Sequence, residues 1–411
     1  MTQSNAFKVL MSSTNVFLTG IPGSGKSYLI RKCLTFFKAR NLKIALTAST
    51  GIAASQLGGL TIHSWSGLGI IRDLDSLTFN KIISNDIILE RFRVVDILII
   101  DEISMLDAQF LDNLNKLAKY FRSDNRPMGG IKTIFVGDFY QLPPVVINNS
   151  LDSNFAFNST VWEELNLRVC YLTQSFRHNM GDFINLILKE IREKNISQNS
   201  FNLLEYCLSK KPKNNITKLY PYNYDVNNQN IAQNNKLLTK KIVYQIDRQG
   251  SSKYGDGFIK DSGIIECLEL KIGSKVMFMV NNPKEGYLNG SLGVVVDFIK
   301  GFPLIRLLNG RYLRICYYTW SIEINNQIVA KVSQLPLKLA WAITIHKSQG
   351  TSLDQAEIDL GRSFTPGMGY VALSRVKSID GLYLKSINKM ALLLDNRITK
   401  MDQKWQNQGN N

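Results

Sequence analysis

The first third of the chain alternates between short, continuously apolar runs and stretches with helical spacing. Val16-Phe17-Leu18-Thr19, Lys43 to Thr47, Val94 to Ile100 and Ile131 to Val136 are apolar at nearly every position, the pattern of strands covered on both faces of a parallel sheet. Between the last two, Ala108 to Phe121 places Phe110, Leu111, Leu114, Leu117, Ala118 and Phe121 on one stripe. That spacing predicts the crossover helix of a βαβ unit. Residues 1 to about 172 therefore read as one α/β lobe. The middle changes texture: Asn, Lys and Ser dominate Asn195 to Asn215, and Asn227 to Asn235 is nearly all amide side chains, which predicts surface helices and loops without chemistry.

From Lys275 the period becomes that of strands. Val276 to Val280, Leu292 to Val296, Leu304 to Leu308 and Tyr312 to Tyr317 are short β-prone runs, punctuated by Asn289-Gly290 and Asn309-Gly310 turns, and they predict a small β-barrel over about 270–336. Ala340 to Ile345, Ala356 to Leu360 and Val371 to Leu373 then supply strands and a helix start for a second α/β sheet. The predicted fold class is thus α/β, with two tandem lobes and the small barrel inserted in the second.

Composition narrows this picture. The 411 residues hold 49 Lys+Arg against 33 Asp+Glu, a net charge of +16, with 45% hydrophobic residues. A disordered chain and a single small module are both excluded. No apolar run reaches the ~18 residues of a membrane span, and a basic segment followed by a long apolar stretch is missing from the start. A soluble, intracellular protein is expected, with no membrane partner. Cys33, Cys170, Cys207, Cys267 and Cys316 are far apart and histidines number three, so neither a disulfide framework nor a zinc site is expected. The excess of positive charge favours a polyanionic partner, since Lys and Arg displace condensed counterions from phosphates.

The most specific local signal is Gly20-Ile21-Pro22-Gly23-Ser24-Gly25-Lys26-Ser27, between a strand and a helix start. Gly20, Gly23, Ser24 and Gly25 let backbone N–H groups converge on phosphates. Lys26 reaches the β and γ phosphates of ATP, and the Ser27 hydroxyl ligates Mg²⁺. Asp101-Glu102 follows the apolar run ending at Ile100, at the carboxyl end of a strand where open α/β sheets bind ligands. Asp101 is the candidate for holding Mg²⁺, and Glu102 for orienting and deprotonating an attacking water. Gly137 to Pro144 brings Gln141, a candidate γ-phosphate sensor, to the same edge. Arg177 and Arg375 are candidate arginine fingers.

Several longer runs carry a resemblance: Thr47 to Ala54, Gly58 to Ser64, Ile100 to Met105, Asp107 to Gly130, Gly137 to Val145, Leu337 to Gly350 with Ile345-His346-Lys347-Ser348-Gln349-Gly350, and Tyr370 to Arg375. In their order and spacing they resemble the Pif (petite integration frequency) helicases, class B of helicase superfamily one, over nearly the whole chain. The resemblance implies two RecA-like (P-loop NTPase) lobes, with ATP in the cleft between them and single-stranded DNA across the top. The lobes would comprise residues 1–63 with 87–172, and 173–269 with 337–411; 64–86 would be a small wedge and 270–336 the barrel.

Carried over by position, Lys26, Ser27, Asp101, Glu102, Gln141, Arg177 and Arg375 form the ATP site, joined by Gly350, and Gln3 reads adenine. Thr50, Thr61, His63, His346 and Lys347 belong to motifs that contact the DNA backbone, Phe139 lies close to the strand, and Lys377 helps hold it. Trp65 stands where the family has Phe, with a core and a base-stacking role both open. Ile21-Pro22 inside the phosphate loop and Met368-Gly369 before Tyr370 depart from the family pattern without touching these roles. Long terminal extensions that would recruit partners are not expected.

The activity implied is ATP- and Mg²⁺-dependent 5′-to-3′ translocation on single-stranded DNA, with unwinding of forked duplex, G-quadruplexes or RNA–DNA hybrids. Replication, recombination, repair and telomere maintenance are the processes implied, for a monomer in solution. The compartment would be the nucleus or mitochondrion in a eukaryote and the cytoplasm in a bacterium or phage. A translocase that strips proteins from single strands without unwinding carries the same motifs. The intact carboxylates and arginines argue against a DNA-binding module with a dead nucleotide site.

Overall fold

The computed structural model describes residues 1–69, 73–144, 154–176, 182–212, 216–280, 282, 285–287, 289–307, 310–324 and 327–409. Two compact units result, residues 1–212 with 345–411, and residues 213–344.

In the first unit the apolar runs become β1 (Val16–Gly20), β2 (Ile44–Ala48), β4 (Ile97–Asp101) and β5 (Lys132–Val136), joined by the short β3 (Leu60–Thr61) and by β6 (Arg168–Leu172). They form one sheet in the order β3-β2-β4-β5-β1-β6, every pairing parallel. β1 and β4 are buried along their whole length, as strands with helices on both faces must be. The two-residue period sorts their side chains. Val16 and Leu18 pack on one face with Leu29, Cys33 and Phe37 of the helix Lys26–Ala39 and with Ala6 and Leu10 of the helix Gln3–Met11. Phe17 faces the other way, into an aromatic cluster with Phe139, Trp162 and Trp405.

The register matters for function. Leu18 pairs with Val136 and Ile100 with Phe135, so β4 and β5 end level and β1 runs two residues further in the same direction, to Gly20. The segments after all three strands therefore emerge at one edge of the sheet. The crossover helix runs Ala108–Arg122 and buries the stripe Phe110, Leu111, Leu114, Leu117, Ala118 and Phe121, with Asp107 as its N-cap. In the remainder of this unit Ala356–Leu360 pairs in parallel with Leu382–Ile387. The apolar run at 371–373 is the end of a helix, Met368–Leu373.

In the second unit, Lys275–Phe278, Leu292–Ile299, Phe302–Leu307, Tyr312–Arg314 and Leu337–Leu339 form a five-stranded antiparallel sheet. The expected strands are present with shifted ends. The run at 292–296 continues to Ile299 across an irregularity between Val295 and Asp297, and the run at 312–317 stops at Arg314. Gly290 and Gly310 have φ of +88° and +84°, as the turns require; Asn309 lies outside the described residues. A second antiparallel sheet, of Asp247–Gly250, Tyr318–Ile324 and Gln327–Gln334, has no counterpart in the sequence reading, because its edge strand Asp247-Arg248-Gln249-Gly250 is wholly exposed and has no apolar alternation to detect. The apolar run at 340–345 yields the strand Ala342–Thr344, parallel to Thr217–Tyr220.

Candidate active site

The phosphate loop is built by close backbone approach. Gly20 ends β1 at φ +141°, and a Cβ there would lie 2.2 Å from the Leu172 carbonyl oxygen of β6. Gly25 adopts φ 81° as the left-handed cap of the helix Lys26–Ala39, without a side-chain cap. The first N–H groups of that helix thus keep their donors for an anion, where the helix dipole also favours one. Lys26 Nζ donates to Gly20 O at 2.9 Å and Ile21 O at 3.2 Å; a phosphate in the loop competes for the same donors. Burial lowers the Lys26 pKa, opposed by the charges of Asp138 and Glu102. Ser24 is fully buried and its hydroxyl has no partner among the described residues.

Three further segments converge on this loop. Gln3 Nε2 donates to Ser24 O at 3.0 Å, so the residue expected to read adenine lies against the loop. Phe176 N–H donates to Gly23 O at 2.8 Å and Ser175 Oγ to Pro22 O at 3.3 Å. The chain leading to Arg177 is thereby laid along the loop, while Arg177 itself lies outside the described residues. Gln141, after β5, is buried, and its Oε1 has no partner among the described residues.

Asp101 closes β4, and its Oδ1 accepts from Glu102 N–H at 2.8 Å. Burial, and then the neighbouring Glu102 charge, push its carboxyl up to about 7; a divalent cation reverses that bias by stabilising the carboxylate. Glu102 sits in the left-handed region, φ 53° and ψ 44°, unusual for a residue with a Cβ. Ser49 holds it there: Ser49 N–H donates to Asp101 O at 3.1 Å and its Oγ to Glu102 O at 2.9 Å. The Glu102 carboxylate Oε2 accepts from Gln349 Nε2 at 2.9 Å. Sequence reasoning quoted Gln349 within its motif but gave it no role; an amide in a loop carries no local signal of its partner.

Arg375 is almost wholly buried. Its guanidinium donates to Val371 O, Thr351 O and Ser374 Oγ at 3.0, 3.3 and 2.7 Å, tying it to the turn that follows Gly350, itself at φ +79°. Among the described residues no cluster of three or more His, Cys, Asp or Glu could cage a metal. Magnesium is bound through one or two protein oxygens together with phosphates and water; Ser27 and Asp101 are the oxygens on offer. The orphaned Ser24 and Gln141 oxygens and the glycine cradle fit a nucleotide in the same place.

The residues expected to hold DNA divide. Thr50 Oγ1 accepts from Ala53 N–H at 3.3 Å and Thr61 Oγ1 from Ser64 N–H at 3.2 Å, so both hydroxyls brace the starts of short helices. The His63 ring packs on Phe110 with centroids 4.6 Å apart, and His346 stacks on Phe364 at 6.2 Å. Burial lowers both histidine pKa values, leaving neutral imidazoles at pH 7, donors and acceptors rather than charges. Lys347 is exposed. Lys377, also exposed, pairs with Asp354 at 2.6 Å. Phe139 corrects the sequence reading: it is 1% exposed and packs among Phe17, Phe155, Phe157, Trp162 and Trp405. It is a core residue without a face for a base, because the sheet's second side needs its ring to fill the layer. Trp65, 6% exposed against Phe92, is core as well. Among the described residues no helix is long and apolar enough to cross a membrane.

A parallel sheet with a phosphate loop after one strand and a carboxylate pair after another, two strands away, defines a P-loop NTPase of the RecA-like kind. Residues 3–200 match the model of the PIF1-like helicases. The chain is 35% identical to the ATP-dependent DNA helicase Pif1 of Psychrobacter sp., over 96% of this chain and 69% of that protein. Among solved structures it is similar to the Pif1 helicase of Candida albicans, with a TM-score of 0.89, 32% identity and coverage of 98% of both chains. It is also similar to a Bacteroides Pif1 helicase in complex with ADP-AlF3 and single-stranded DNA, with a TM-score of 0.82, 28% identity and coverage of 99% of this chain and 97% of that one. The chain belongs to the PIF1-like helicase family, ATP-driven enzymes that act on DNA.

Proposed function

We propose that this helicase moves 5′-to-3′ along single-stranded DNA and opens a forked duplex ahead of it, each step coupled to hydrolysis of one ATP. The observation that carries the reading is the convergence of the Lys26 loop, the Asp101-Glu102 pair and Gln141 at the same edge of one parallel sheet. In this reading Gln3 holds adenine, and Gly20, Gly23, Ser24, Gly25 and Lys26 cradle the phosphates. Ser27 and Asp101 hold Mg²⁺, which supplies charge neutralisation across the β and γ phosphates. Glu102 takes the proton of the attacking water, Gln141 senses the γ phosphate, and Arg177 and Arg375 stabilise the charge on the transferring phosphoryl group, with Gly350 beside them. The Bacteroides relative binds a nucleotide mimic and single-stranded DNA together, which supports both halves of the assignment.

For the DNA strand, Thr50, Thr61, His63, His346, Lys347 and Lys377 form the backbone-contacting set. Residues 1–63 with 87–172 and 173–269 with 337–411 act as the two RecA-like lobes, 64–86 as a wedge and 270–336 as the inserted barrel. The five-stranded antiparallel sheet within 275–339 supports a β-rich insert there. The protein acts as a soluble monomer in the compartment that holds its host's DNA, and G-quadruplexes and RNA–DNA hybrids are further substrates.

The test is strand separation on two forks, one with a 5′ and one with a 3′ single-stranded tail, with ATP and Mg²⁺, for wild type and Glu102→Gln. Unwinding of the 5′-tailed fork alone, lost in the variant, is the expected result. Hydrolysis stimulated by single strands without unwinding would identify a protein-displacing translocase, and unwinding from the 3′ tail would refute the polarity.

A further inference from the structure

The reading of Glu102 as the base leaves open what aims it. Among the described residues its carboxylate meets one side-chain donor, Gln349 Nε2, at 2.9 Å. Gln349 is 4% exposed and Glu102 half-buried, so the contact lies at the border between core and site. A carboxylate accepts only, which fixes the amide orientation: nitrogen toward Glu102, oxygen away from it. That oxygen, Gln349 Oε1, is buried and without a hydrogen-bond partner among the described residues. Buried polar atoms are rarely left unpaired, and each one calls for an account in strain, a catalytic role or an ordered water or ion.

The turn that carries Gln349 is firmly held. Ser348 Oγ donates to Ile345 O at 2.7 Å and Thr351 Oγ1 to Ser348 O at 2.6 Å. Arg375 donates to Thr351 O at 3.3 Å and accepts through its own carbonyl from Leu353 N–H at 2.8 Å. The amide is thus fixed in one frame with the arginine finger, two residues after Lys347.

We infer that Gln349 positions the Glu102 carboxylate for hydrolysis and offers its own Oε1 to the attacking water as a second acceptor. The inference rests on Glu102 being the base. The water oxygen forms the new bond to the γ phosphorus, and the bond to the β–γ bridging oxygen breaks, ADP leaving with that electron pair. One water proton passes to Glu102; the other, held by Gln349 Oε1, stays on the phosphate product. Two acceptors orient a water's lone pair where one leaves it free to rotate.

The test compares wild type, Gln349→Met, Gln349→Glu and Glu102→Gln in steady-state ATP hydrolysis with saturating oligo-dT and Mg²⁺. ATP KM, oligo-dT affinity and melting temperature are measured alongside. Methionine keeps the volume and removes both polar atoms. Glutamate keeps the acceptor and turns the donor into a like charge. Removal of such a polar contact is expected to lower kcat about 100-fold in Gln349→Met, with KM, DNA affinity and melting temperature unchanged, and further in Gln349→Glu, whose buried like charge also lowers the melting temperature. A kcat within about two-fold of wild type in Gln349→Met, while Glu102→Gln is inactive, overturns the inference and leaves the base assignment standing. A loss of kcat in Gln349→Met that comes with a matching change in KM or melting temperature also overturns it, as a packing role. Near-normal turnover by Glu102→Gln refutes the base assignment itself, and the inference falls with it.

Discussion

At the scale of single residues, the site is made by positions whose backbone or burial tolerates one solution. Gly20 is the sharpest case. Its φ of +141° and the 2.2 Å gap from a would-be Cβ to the Leu172 carbonyl combine strain with a clash against backbone, which cannot swing away. Gly20→Ala is expected to destabilise the fold by about 2–4 kcal/mol, from overpacking and backbone strain together, read as a lower midpoint in urea unfolding. By contrast, a Cβ at Gly25 meets the end of the Gln3 side chain, which can move. The phosphate loop was legible because its requirements are local: glycines for backbone approach, a lysine and a hydroxyl at fixed offsets. Phe139 was misread for the converse reason, as its place in a motif says nothing about which side of the sheet its ring fills.

At the scale of elements, the crossover helix Ala108–Arg122 shows how much periodicity determines. Each apolar position named from the spacing is buried. What periodicity misses is polar and internal: Asn115, on the buried face, accepts from Met128 N–H at 2.7 Å. Met128 (φ 54°) and Gly129 (φ 61°) both lie in the left-handed region, and the amide oxygen of Asn115 satisfies the donor that this turn leaves exposed to the core. Asn115→Ala strands that N–H and is expected to cost about 1–3 kcal/mol. Asn115→Asp, which keeps an acceptor, should recover part of the loss if the hydrogen bond is responsible; equal melting temperatures for alanine variant and wild type would deny the bond any weight. The same limit explains the unforeseen three-stranded sheet of the second unit. Its edge strand Asp247–Gly250 pairs with residues some eighty positions further along the chain and has no apolar face.

Over the first unit as a whole, its most concentrated polar feature is the buried guanidinium of Arg192. It lies 3.2 Å from Asp138 and 3.2 Å from Asp402, donates to Tyr370 OH at 2.8 Å and Tyr171 OH at 2.6 Å, and stacks on the Tyr140 ring at 4.3 Å. Four parts of the chain meet there: the segment before Gln141, the end of β6, the helix preceding Arg375 and the C-terminal helix Asn396–Gly409. A buried pair broken from one side leaves its charge uncompensated, and here two carboxylates would be left. Arg192→Met is therefore expected to destabilise the fold by about 3–5 kcal/mol, measured by denaturant unfolding. A stability within 1 kcal/mol of wild type would mean that water reaches both acids once the arginine is gone.

The sequence by itself determined the local chemistry and the class of fold. Strand burial on both faces, helix spacing and the Gly20-to-Ser27 loop depend on neighbours within a few residues, where period and steric demand are fixed by residue type. Tertiary structure decided what depends on contacts between distant positions: that Gln349 meets Glu102 across 247 residues, that Arg192 draws Asp138 and Asp402 together, and that Phe139 belongs to the core. A side chain's hydrogen-bond capacity is written in its residue type. Which partner fills it is settled only when folding brings the two together, because the cost of leaving a buried polar group unpaired is felt only once water has been excluded.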